Sequence, residues 1–175
     1  MAGFSIMSDA VVVFRIPPRT ATDAYFAKMG GSRRLDLVFD IDLGDLVEGH
    51  RAVARGMEML DSGAVLHYEF VPGVRPDETE INGPFFWYWM LSTEDDQGTP
   101  YCDDNVGAFD PGGEAAAHGT RQLGGPVPSS ATWLRVSFRP AEGWAPTRSW
   151  CRQLRIELPD GVVTGVWSDS RPTAG

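Results

Sequence analysis

"LDLVFDIDLGDLVEGHRAVARGMEML", residues 35–60, is the stretch whose reading decides the fold. Its first nine residues alternate. Leu35, Leu37, Phe39, Ile41 and Leu43 fall on one side, and Asp36, Asp40 and Asp42 on the other, with Val38 the exception. That is the period of a half-buried strand. The spacing then changes. Leu43, Leu46, Val47, Val53, Ala54, Met57 and Leu60 follow three- and four-residue steps, the stripe of an amphipathic helix. Asp45 stands where an N-cap is useful. Gly49 and Gly56 oppose a helix by about 1 kcal/mol each relative to Ala. The pattern therefore predicts a strand followed by one α-helix over about 45–60. A shorter helical turn is expected at 20–31, stopped by Gly30-Gly31.

Outward from this stretch the chain reads as strands. "AVVVFRI" (10–16) is β-branched and ends at Pro17-Pro18. "AVLHYEF" (64–70) sends Ala64, Leu66, Tyr68 and Phe70 inward, and Val65, His67 and Glu69 outward. "TWLRVSF" (132–138) buries Leu134, Val136 and Phe138; "RQLRIEL" (152–158) buries Leu154, Ile156 and Leu158. Asp160-Gly161 turns the chain into "VVTGVW" (162–167). Short strands separated by Gly/Pro turns, without regular alternation with helices, argue for two antiparallel sheets face to face. The expected fold is mainly β: an immunoglobulin-like β-sandwich with one inserted helix. A single domain spans 1–175, with 1–8 a leader and 168–175 a tail; Met1 and Met7 both serve as candidate starts.

"PFFWYWMLST" (84–93) breaks the strand rule, because it is apolar on both faces. Phe85, Trp87, Trp89 and Leu91 make the larger set, suited to the sandwich interior. Phe86, Tyr88 and Met90 emerge on the other side. The expected helix would cover them, or a partner would, as an exposed aromatic row marks an interaction site.

The segment 94–130 is acidic and glycine-rich. Glu94, Asp95, Asp96, Asp103, Asp104, Asp110 and Glu114 meet one base, Arg121. Counting Asp103 as the first position of an EF-hand loop puts Asn105 third and Glu114 twelfth. Gly107 and Ala108 then stand where a ligand and a glycine are required, so the segment departs from the EF-hand pattern. A looser Ca2+ site built from Asp95, Asp96, Asp103, Asp104, Asp110 and Glu114 is the alternative to a solvated loop; no cofactor is expected. His50, His67 and His118 show no zinc spacing. His67 reads as a surface histidine and His50 as a boundary one. A Cys102–His118 thiolate pair is the one nucleophilic arrangement to weigh. No G-x-S-x-G elbow or Walker loop occurs. Trp133, Trp144, Trp150 and Trp167 suit sheet-edge packing, or sugar stacking in a carbohydrate-binding module.

A formal charge of −9 and a pI near 4.7 argue against nucleic acid. No run reaches the roughly 18 apolar residues a membrane helix needs. The start lacks a signal-peptide pattern, and Cys102 and Cys151 do not make a disulfide framework, so a cytoplasmic site is expected. Lys28 is the single lysine among fifteen basic residues, a bias of GC-rich genomes.

"DDQGTPY" (95–101), "HGTRQL" (118–123) and "PVPSSATWLRVSF" (126–138) together resemble uncharacterised actinobacterial β-sandwich proteins. The resemblance covers about residues 84–140. It implies a fold and a source, and no catalytic residue. The expected function is a non-catalytic binding module. It would act through the aromatic strand and the acidic loop, on a protein partner or as a homodimer. The alternatives are a ligand- or metal-dependent enzyme with its site in 94–121, and a carbohydrate-binding module.

Overall fold

Residues 37–47 and 50–60 are the two arms of a β-hairpin, and strand stands where a helix was expected. A computed structural model of the chain describes residues 12–16, 37–47, 49–61, 63–73, 89–101, 109–110, 115–140, 149–158 and 160–170. In it β2 (Leu37–Val47) turns near Gly49, at φ 80°, and returns as β3 (His50–Leu60). The reason for the misreading is physical. The β2–β3 pairing carries three register shifts, and β3–β4 (Gly63–Val71) carries one between Ala54 and Gly56. Each bulge inserts a residue and breaks period two. On β3 the inward set is Ala52, Ala54, Met57 and then Met59, so the steps run two, three, two. The three-residue step is the bulge, and it imitates a helical repeat. Val53 and Leu60 never belonged to that face; Leu60 is exposed.

The other strands are β1 (Val12–Ile16), β5 (Trp89–Asp95), β6 (Phe109–Asp110), β7 (Ala117–Gln122), β8 (Trp133–Pro140), β9 (Ser149–Glu157) and β10 (Val163–Ser170). All described pairings are antiparallel. The first sheet runs β1-β10-β9-β8-β5 and the second β2-β3-β4-β7-β6. Among the described residues there is no helix. The expected turn at 20–31 and the leader 1–8 lie outside them, and β10 continues through Ser170.

The two sheets share one apolar core. Leu37, Phe39, Ile41, Leu43, Leu66, Tyr68 and Phe70 come from the second sheet, and Leu91, Leu134, Val136, Phe138, Leu154 and Ile156 from the first. Alternation had marked nearly all of them. Each such side chain contributes about 1.5–3 kcal/mol on burial. Gly119 faces inward because the Tyr68 ring lies against it; an added Cβ would overlap that ring. Arg152 ties the layers together. It is buried on β9, donates from Nε to Leu43 O at 2.8 Å, and stacks near Trp150 and Trp167. Its Nη1 reaches Cys151 O and Ser168 O of its own sheet. Gly44 lies beside that guanidinium at φ 76°, a backbone conformation that side-chain-bearing residues rarely adopt.

Candidate functional site

β5 lies at an edge of the first sheet and pairs with β8. Leu91 points into the core, as its parity requires. Met90 points out and is 42% exposed. No described helix covers it, because the segment expected to do so is β3 of the other sheet. Phe86 and Tyr88, the other two members of that row, lie outside the described residues.

Cross-strand register builds the outer face around Met90. Met90 stands opposite Arg139, Ser92 opposite Ser137, and Glu94 opposite Arg135. Ser137 and Arg135 then face Gln153 and Arg155 on β9. Glu94 accepts from Arg135 Nη1 at 3.0 Å, and Glu157 from Arg155 Nε at 2.8 Å. The guanidinium carbons of Arg135 and Arg155 lie 5.1 and 4.7 Å from the Trp133 ring centroid, at cation–π range. Gln153 donates to the Ser137 hydroxyl at 3.1 Å. Both Arg135 and Arg155 are a third or more exposed. This face is therefore open, polar and fixed in geometry. Trp133 carries guanidinium groups against its ring, an arrangement unlike a bare platform for a sugar.

The acidic turn after β5 has a structural use for both of its aspartates. Asp95 Oδ1 accepts from the N–H groups of Gln97 and Thr99, and Oδ2 from the Tyr101 hydroxyl at 2.8 Å. Burial works to raise the Asp95 pKa, but these hydrogen bonds outweigh it and hold the carboxyl at about 2. Burial, with the bond to Asp95, pushes the Tyr101 phenol upward. Asp96 accepts from the Thr132 hydroxyl and N–H, which lowers its pKa and pins the turn to the start of β8. Asp103, Asp104 and Glu114 lie outside the described residues, as does Cys102; of Asp110 the structure describes the backbone, in β6. Among the described residues no three His, Cys, Asp or Glu side chains are arranged to hold a metal ion. Arg121, the lone base of this segment, faces inward and is buried in the core near Tyr68. Burial raises the Tyr68 phenol's pKa, and the Arg121 charge opposes that rise.

The outer face of the second sheet is the region the sequence misrepresents. Val65, His67 and Glu69 point outward on β4, as alternation says, yet all three are buried. His67 is 1% exposed, not a surface histidine. A row of ionisable side chains crosses the strands there. Asp40 on β2 accepts from Arg55 Nη1 at 2.6 Å, and Arg55 also binds Glu69 Oε2. His118 Nδ1 on β7 lies 3.0 Å from Glu69 Oε1. Beside this row His67 Nε2 meets Glu58 Oε2 at 3.0 Å. Burial works to lower the Arg55 pKa, but bonds to Asp40 and Glu69, and their charges, raise it overall. Gly56 stands opposite His67, so the cross-strand partner of this histidine brings no side chain of its own. His50 is half-buried at the start of β3, 3.3 Å from Pro72 O. Cys151 is a free, half-buried thiol.

No family model, curated protein or solved structure matches this chain. No described helix is long and apolar enough to cross a membrane.

Proposed function

We propose that the chain is a non-catalytic interaction module that engages a protein partner, or a second copy of itself, through the outer face of its first sheet. The observation that carries this reading is Met90: a large apolar side chain, 42% exposed, on the outer face of an edge strand, with exposed Arg139 opposite. Methionine and arginine are enriched in interfaces. Phe86 and Tyr88, which lie outside the described residues, belong to the same proposal. The immunoglobulin-like class, the actinobacterial resemblance and a cytoplasmic site remain parts of it; two antiparallel sheets sharing one core support the first.

A benzophenone amino acid at position 90 tests the reading, with one at exposed Leu60 as control. A discrete cross-linked species is expected from position 90 alone, and its mass distinguishes a second copy from another protein. Equal adducts from both positions, or none from position 90, overturn the reading.

A further inference from the structure

We infer that the partner surface docking on the first sheet's outer face is an acidic polypeptide segment, an inference that rests on the interaction reading above. The protein carries a formal charge of −9, yet this face presents Arg135, Arg139 and Arg155 against Glu94 and Glu157. The two glutamates are already held, by Arg135 and Arg155 respectively. Arg139 is exposed and has neither hydrogen bond nor ion pair among the described residues. A guanidinium offers five N–H donors, and the bonds to Glu94 and Glu157 engage Nη1 of Arg135 and Nε of Arg155. Donors are left for incoming carboxylates.

Preorganisation strengthens the case. Arg135 and Arg155 stack near Trp133, within 5.1 and 4.7 Å of its centroid. Ordering an arginine on binding costs rotamer freedom, and side chains already stacked lose less of it. Tryptophan and arginine are also the residue types that dominate binding hot spots. Met90 adds an apolar contact at the edge. Elsewhere the net negative charge of the molecule repels an acidic partner, which favours its approach on this side. A nucleic acid is the less favoured polyanion. Its phosphates need an extended basic tract, and among the side chains described on this face three arginines stand with two glutamates.

The test is a titration of the isotopically labelled full chain with poly-L-glutamate, followed by NMR. The Arg135, Arg139 and Arg155 Nε–H signals and the Trp133 indole signal are expected to shift, and added salt is expected to weaken the binding. An R135Q/R139Q/R155Q variant is expected to bind the probe about tenfold more weakly or worse, since it removes the three guanidinium groups that meet the carboxylates. A cooperative thermal melt is the check that the variant is folded. Shifts on another surface, or unchanged affinity in the triple variant, overturn the inference. Equal binding of an oligothymidylate overturns it in favour of a general polyanion face. If the glutamate polymer fails while position 90 still cross-links specifically, the acidic partner is wrong and the interaction reading stands. If both fail, both fall.

Discussion

The two sheets of this protein place charge on their outer faces in opposite ways. On the second sheet Asp40, Arg55, Glu69 and His118 form a line whose centre is buried, with Glu58 and His67 beside it. On the first sheet Glu94, Arg135, Arg155 and Glu157 also form pairs, but all four remain open to water. The chemistry of the pairs is similar, and the surroundings differ. Buried ions lose hydration and need every partner they have; exposed ions keep hydration and can exchange partners at little cost. The first arrangement makes architecture, and the second leaves a surface free to bind.

The largest effect that would sharpen this contrast is the loss of Glu69. Glu69→Ala leaves Arg55 with Asp40 as its acidic partner and removes the Glu69 carboxylate from His118 on a covered face, and is expected to cost about 3 kcal/mol in urea denaturation. A loss under about 1 kcal/mol would mean that the row is solvated like its counterpart. Asp95→Asn comes next, at about 1–2 kcal/mol near neutral pH, because it weakens the acceptor for Gln97, Thr99 and Tyr101. Its pH dependence has a definite sign. The Asp95 pKa is depressed to about 2 when folded, so its stabilisation is complete above the ordinary carboxylate value of about 3.9. That stabilisation drains away as pH falls toward the folded pKa. The difference between wild type and variant should therefore narrow on acidification from pH 4 downward, read by thermal melts. Arg135→Gln removes an exposed pair and a cation–π contact and is expected to cost less than about 1 kcal/mol. Met90→Glu should leave the melting temperature almost unchanged, while abolishing association read by a benzophenone at Ser92 on the same face; an unfolded Met90→Glu would place Met90 in the core.

Most of the sandwich was legible in the sequence, because regular strands announce themselves. Leu134, Val136 and Phe138, or Leu37, Phe39 and Ile41, alternate without interruption and are buried where alternation put them. β3 was not legible, because the bulge at Arg55 turns a two-residue step into three. Gly49 and Gly56 were the available signal: both are poor in a helix, and both sit at irregular points of the hairpin. The direction of His67 and Glu69 was also legible, but their burial was not, since alternation gives a face and says nothing of what lies over it. Arg152 had no local signal either. Its role depends on Leu43, more than a hundred residues away in sequence. Within the acidic segment, Asp95 followed by Gly98 was readable as a turn, and the structure shows the aspartate holding that turn together.

Hydroxyl-radical footprinting of the native protein, read by mass spectrometry, compares the two outer faces in a single measurement. Met90 and Trp133 are expected to oxidise readily in the folded state, while His67 reacts only after unfolding. A native His67 that reacts at the rate it shows in urea, or a Met90 as protected as Met57 in the core, would contradict the division into one covered and one open face.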